Sequence, residues 1–193
     1  MAFENVTIPT ERLCLRVLGD GDLPAIFGIF SHAEVARYWS RPPMAALAEA
    51  EEWLAKTREA HRTGGALQLG IERKADRSIL GTCTLWGIHT ESRRAEVGYA
   101  LGRAHWGQGY MVEALHALVR HAFDVLDLNR LEADTDPRNT ASIKVLEKLG
   151  FEREGYMRER WIVNGEVCDT VFYGLLRRAY QRTTTNTAAA PIA

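Results

Sequence analysis

The chain has 193 residues, 46% hydrophobic and 25% charged, the composition of an ordinary globular protein long enough to bury a core without staples. Its 24 Lys and Arg against 25 Asp and Glu give a net charge of −1, which excludes the broad basic footprint of a general nucleic-acid binder. Only a local basic patch around Arg158 and Arg160 remains. Cys14, Cys83 and Cys168 lie far apart with no Cys-x-x-Cys spacing, so they read as reduced, mostly buried thiols of a cytoplasmic protein, and no metal site is expected.

The opening residues carry no basic segment followed by an apolar one, so no secretory leader is expected. No apolar run approaches the ~20 residues of a membrane span. ERLCLRVL (11–18) alternates as a strand does. Asp22 is placed to cap a helix from Leu23 to about Ser31, with Pro24 in its first turn. Residues 46–63 predict an amphipathic helix with Leu47, Ala50, Trp53, Leu54 and Thr57 on one side, stopped by Gly64 and Gly65. ALQLGIER and SILGTCTLWGI read as strands joined by the polar turn KADR, and RAEVGYAL (94–101) as a third. Leu115, Leu118, Val119, Ala122 and Leu126 recur at helical spacing after Gly109. NRLEADTD is a strand, and NTASIKVLEKLG a short helix capped by Asn139 and ended by Gly150. RERWIVNGEVCDTVFYGLL predicts a hairpin turning at Asn164-Gly165. One domain, 1–182, is expected; the tail 183–193 has too little to bury and is expected to be disordered. Strands mixed with helices predict an α/β protein, a mixed sheet with helices on both faces.

HWGQGYMVEAL (105–115) sets Gly107 and Gly109 before the longest of these amphipathic runs but one. Such glycines let a phosphate approach the unpaired N–H groups of a helix N-terminus, or they form no more than a tight turn. The stretch lacks the Lys-Ser/Thr of a P-loop and the third glycine of a dinucleotide fingerprint.

DPRNTASIKVLEKLGF follows about thirty residues later. With EVGYALGRAHWGQGYMVEAL before it, TERLCLR near the start and VNGEVCDTVFYGLL after it, the chain resembles the GNAT superfamily of N-acetyltransferases, most closely its RimJ/RimL-like branch that acetylates protein N-termini. The resemblance implies a twisted, mostly antiparallel sheet of about seven strands and acetyl-CoA as cosubstrate. It implies that Trp106, Gly107, Gln108, Gly109, Tyr110 and Met111 hold the coenzyme A pyrophosphate through backbone N–H groups. The superfamily often has Gln or Arg three residues before the first glycine. Here that residue is Ala104, and Arg103 beside it is a candidate substitute. Tyr99, Ala100 and Leu101 would pair with the pantetheine arm and aim a donor at the thioester carbonyl.

Acetyl transfer to an amine needs a deprotonated amine, a polarised carbonyl, positioning, and a stabilised leaving thiolate. The candidate bases are Glu96, Glu132 and Asp134, or a water; Glu132 and Asp134 are two apart and share a sheet face. Many GNAT enzymes carry a tyrosine five residues before the Phe of their LGF motif, but this chain has Leu146 there, which makes Ser142 the candidate acid. Asn139 is an N-cap, a ligand of the pantetheine amide, or both. Tyr38 and Trp161 are candidates to line the acceptor cleft. The expected acceptor is a protein N-terminal α-amine of the ribosomal-protein type, with no direct contact to nucleic acid or membrane, and the protein a monomer or homodimer. The alternatives are a small-molecule amine (amino acid, polyamine or antibiotic), or a non-catalytic acyl-CoA-binding module.

Overall fold

The computed structural model describes residues 3, 5–39, 41–163 and 165–180. The alternating pattern near the start folds as β1 (Thr7–Pro9) and β2 (Leu13–Arg16), paired antiparallel. β1 was not anticipated. It is three residues long and ends at Pro9, which cannot donate to a ladder and so belongs at a sheet edge. Then come α1 (Leu23–Phe30), α2 (Ala33–Ala36) and α3 (Leu47–Thr63). After β3 (Ala66–Arg73), β4 (Ile79–His89) and β5 (Arg94–Leu101) the chain enters α4 (Tyr110–Asp124). β6 (Arg130–Thr135), α5 (Thr140–Lys148), β7 (Glu152–Val163) and β8 (Glu166–Leu176) complete it. The turn expected at Asn164-Gly165 includes Asn164, which lies outside the described residues, as do 183–193; Gly165 has φ +83°.

Among the described residues the strands form one eight-stranded sheet in the order β1-β2-β3-β4-β5-β6-β8-β7, one more strand than expected. Every neighbouring pair is antiparallel except β5 and β6, whose crossover is α4. The parallel register covers Arg94↔Arg130, Ala95↔Leu131 and Glu96↔Glu132 only. Beyond it β5 runs on to Leu101 and β6 to Thr135 with no shared ladder, so the sheet opens into a cleft.

Alternate residues of β2 to β6 bury two faces. Leu13, Leu15, Leu69, Leu85, Val97 and Leu131 pack with Leu115, Leu118, Ala122 and Phe123 of α4. On the other face Leu18, Ile79 and Ala100 pack with Ile26, Phe30, Ala50 and Leu54 of α1 and α3. Leu47 is exposed, in contrast to the stripe assigned to it, because the buried side of α3 begins a turn later.

Asp22 holds the position before α1 without capping it. Its carboxylate accepts instead from Gly19 N (2.8 Å) and from both terminal nitrogens of Arg16 (2.8 and 2.9 Å). Arg16 also donates through Nε to Glu72 on β3 (2.5 Å), a carboxylate only 1% exposed. One guanidinium thus ties β2, β3 and the start of α1. Burial pushes the Asp22 carboxyl up, but Arg16 and the Gly19 N–H outweigh it and leave the group below its usual range, so this tie holds at neutral pH and is lost only in acid. Arg16→Ala strands Glu72 in the sheet with Arg77 alone and is expected to cost ~3 kcal/mol in urea unfolding at pH 7. A loss below about 0.5 kcal/mol contradicts this role.

Candidate active site

β5 ends in a short 3-10 turn, Arg103–His105, and the chain reaches α4 through Trp106, Gly107, Gln108 and Gly109. Gly107 (φ +75°) and Gly109 (φ +79°) both take the left-handed conformation, which costs any residue with a Cβ roughly 1–2 kcal/mol. No heavy atom lies within 4 Å of where a Cβ on Gly107 would stand, so the approach to the helix is open. The first bond of this turn is Glu113 N–H to Gly109 O (3.1 Å), leaving the N–H groups of Tyr110, Met111 and Val112 without a partner inside the helix, at the positive end of its dipole. Trp106 fastens the loop to the sheet by its indole N–H to Leu101 O (2.7 Å), and Gln108 closes it by Nε2 to Ala104 O (3.0 Å).

The loop is held from behind by the first strands. Glu113, in the first turn of α4, accepts from Thr10 Oγ1 (2.6 Å), Arg12 N (2.8 Å) and Arg12 Nε (2.6 Å). Arg12 Nη1 donates to Gln108 O (3.1 Å), and the guanidinium lies 4.5 Å from the centre of the Tyr110 ring. Burial raises the Glu113 carboxyl, yet these donors outweigh it and hold it below its ordinary range, while the bond to Glu113 raises Arg12. Both stay charged across neutral pH. The sequence reading missed this clamp. Arg103, offered there as a stand-in beside Ala104, is engaged elsewhere: it pairs with Glu34 (3.0 Å) and stacks on Trp106 (4.8 Å).

Across the cleft, Asn139 caps α5 by accepting from Ser142 N (3.2 Å). Ser142 Oγ lies 2.8 Å from the hydroxyl of Tyr99 on β5, which also donates to Ser142 O (3.2 Å). Burial pushes the Tyr99 phenol up to about 12, so it keeps its proton at neutral pH. The side chains of Tyr99 and Ser142 thereby tie β5 to α5, while Ala100 and Leu101 continue β5 beyond its pairing with β6. Leu146 is buried in the core and takes no place at the cleft.

On the opposite face, Glu96, Glu132 and Asp134 come together in a cavity of about 470 Å³ with Arg130, Glu154, Arg160 and Phe172. Their situations differ. Glu132 accepts from Arg94 Nη1 (2.9 Å) and Arg130 Nε (2.7 Å), which makes it a structural anion. The carboxylates of Glu96 and Asp134 have no hydrogen-bond or ion-pair partner among the described residues. Burial, then repulsion from Asp134 and Glu132, raises the Glu96 carboxyl above its usual range. Neither Tyr38 nor Trp161 lines this cavity. Tyr38 reaches Arg138 O (3.4 Å), and Trp161 stands further along β7.

The site thus combines a glycine-opened helix N-terminus, a parted parallel strand pair and an unpaired carboxylate where the strands separate. The profile of the Acetyltransferase (GNAT) domain matches residues 12–152. An uncharacterised N-acetyltransferase, p20 of Bacillus licheniformis, is 36% identical over 174 residues, 90% of this chain and 98% of that protein. The ribosomal protein uS5-alanine N-acetyltransferase of Escherichia coli strain K12 is 27% identical over 176 residues, 89% of this chain and 91% of that one. Among solved structures, Mycobacterium smegmatis RimJ in complex with CoA-disulfide superimposes with a TM-score of 0.85 at 24% identity, covering 97% and 98% of the two chains. The spermidine N-acetyltransferase of Vibrio cholerae, in complex with CoA and spermine, gives 0.79 at 24% identity over 88% and 98%. The chain belongs to the GNAT family and is an acetyl-CoA-dependent N-acetyltransferase.

If the clamp and the glycines shape the phosphate loop, Arg12→Ala and Gly109→Ala are each expected to raise KM for acetyl-CoA about 5- to 30-fold, the equivalent of ~1–2 kcal/mol, with KM for the amine little changed. Because Arg12 and Glu113 stay charged, the wild-type KM for acetyl-CoA is expected to be flat from pH 6 to 9. Calorimetric coenzyme A affinity equal to wild type in both variants removes the loop from the cofactor site.

Proposed function

We propose that this acetyltransferase acts on α-amino groups, with a protein N-terminus of the ribosomal kind as acceptor, by direct attack of the amine in a ternary complex. The observation that carries the reading is Glu96: an unpaired, partly buried carboxylate whose pKa is raised, at the point where β5 and β6 part. An α-amine has a reference pKa of ~7.7–8.0, against ~10.4 for a lysine side chain. A carboxylate whose affinity for a proton is raised suits the first better than the second. Asp134 sits beside Glu96 and sustains its affinity for a proton. The E. coli relative named for ribosomal protein uS5 supports the same acceptor.

The remaining roles follow from position. The open loop from Trp106 to Met111 offers backbone donors to a pyrophosphate, and the part of β5 without a β6 partner (Tyr99, Ala100, Leu101) offers N–H groups to the pantetheine and the thioester oxygen. Asn139 spends its side-chain oxygen on Ser142 N, so its amide NH₂ remains to meet pantetheine. Attack forms the C–N bond and breaks C–S, and Glu96 takes the surplus amine proton. Tyr99, with its raised pKa, does not hand a proton to a thiolate whose ordinary pKa is near ~8.5. The Tyr99–Ser142 pair instead donates a hydrogen bond to the departing sulfur.

An acceptor screen with acetyl-CoA tests the reading. Alanyl peptides are expected to outpace spermidine and lysine side chains, and preference for a polyamine hands the site to the small-molecule alternative. Glu96→Gln is expected to lower kcat/KM about 10- to 100-fold at pH 7, less as the pH nears 9 and free amine becomes abundant. A raised native pKa means that ionised Glu96 weakens the fold at neutral pH, so the same variant should melt no lower than wild type. Wild-type rates from pH 6 to 9 move the base elsewhere. Ser142→Ala and Tyr99→Phe are each expected to slow turnover about 10- to 100-fold with coenzyme A affinity retained. Unchanged turnover returns both to structural residues.

A further inference from the structure

β7 departs from its ladder beside the cleft. Met157 pairs with Thr170 and Trp161 with Cys168, so Arg158, Glu159 and Arg160 stand opposite the single residue Asp169. The backbone of Glu159 takes φ +54°, a strained conformation for a residue with a side chain. Asp169 holds it there by accepting from Glu159 N (2.8 Å) and from the Tyr156 hydroxyl. The result is a bulge of fixed shape that re-aims the residue leaving it.

That residue is Arg160. Its guanidinium lies 4.5 Å from the ring centre of Phe172 and 5.3 Å from that of Trp161. Phe172 is the β8 partner of Asp134, so the stack sets Arg160 at the wall of the cavity that holds Glu96. The other cavity guanidinium, Arg130, is used up by Glu132 and Glu154. Arg160 has no carboxylate within 4 Å among the described residues; its one polar contact is a weak one from Nη1 to Met157 Sδ (3.5 Å).

A cavity built only to take an ammonium group gains nothing from an unpaired cation. Glu96 and Asp134 with Arg160 form a two-sign surface, suited to a ligand that carries an amine and an oxygen acceptor close together. We propose that Arg160 is the specificity residue for the acceptor: it binds the carbonyl oxygen on the carbon that bears the α-amine, and it disfavours acceptors with a second cation there. The inference rests on the reading of this cavity as the acceptor site and narrows it to α-amino carbonyl compounds, as found at peptide N-termini, against alkyl amines and polyamines.

Steady-state rates of wild type, Arg160→Met and Arg160→Lys on an alanyl peptide amide and on propylamine, each with acetyl-CoA, test it. Met keeps an apolar stack on Phe172 without the charge. Arg160→Met is expected to raise KM for the peptide roughly 10- to 100-fold while KM for propylamine and for acetyl-CoA stays within about twofold. Arg160→Lys, which keeps the charge but not the fork, should recover part of the loss. An Arg160→Met enzyme with wild-type peptide KM, or with KM for peptide and propylamine raised alike, overturns the assignment of Arg160 and leaves the α-amine reading standing. A wild-type enzyme that acetylates propylamine but not the peptide overturns that reading, and this one with it.

Discussion

Backbone N–H and C=O groups in a sheet must find a strand, a ligand or water. In this protein that demand is left open inside the sheet above Glu96, where β5 and β6 cease to pair. The parting needs a cause on each side. β5 stays paired with β4 as far as Leu101, with one irregularity between Trp86 and His89. β6 is drawn the other way by β8, paired over its whole length from Arg130 to Thr135. The gap is therefore a product of two well-made antiparallel ladders that share one short parallel seam, and α4 and α5 close its inner face.

The arginines show which charges are structural and which are left for chemistry. Arg16, Arg94, Arg130 and Arg138 are each committed to carboxylates, at Asp22 and Glu72, at Glu132, at Glu132 and Glu154, and at Asp136 and Glu166 respectively. Glu132 stands level with Glu96 across the parallel seam, so two like charges would face each other there. Two arginines neutralise Glu132 alone. Glu96 stays partly buried and unpaired, and burial together with the neighbouring carboxylates gives it a higher affinity for a proton.

Features set by local period were legible in the sequence. The apolar spacing of α4, the side-chain cap at Asn139 and the shared face of Glu132 and Asp134 depend on neighbours within a few residues, and they appear where the pattern puts them. The Gly-x-Gly pair was read as an opened helix start, and its two positive φ angles accord with that. What was missed is long in range or irregular. Arg12 and Glu113 meet across 101 positions, and Tyr99 and Ser142 across 43, distances over which no period speaks. Arg103 looked available because its partner Glu34 belongs to α2, a four-residue helix too short to leave a pattern. The bulge in β7 sets Arg158, Glu159 and Arg160 against Asp169 alone, an irregularity that simple alternation does not announce.

The two walls of the cleft are built on opposite principles. The cofactor side is over-determined: Glu113 alone receives three donors from the β1–β2 segment, and the loop it supports is fastened again by Trp106 and Gln108. Such redundancy fits a ligand that is the same in every turnover. The Glu96 side ends at a hairpin whose outer strand has no further neighbour among the described residues, and one carboxylate, Asp169, supplies the bonds that shape its bulge. A strand edge can lose or gain a bulge without disturbing either core, because the buried residues of β8 face inward and are paired with β6 independently of β7. Change in the bulge is thus confined to the edge of the sheet, away from the gap between β5 and β6.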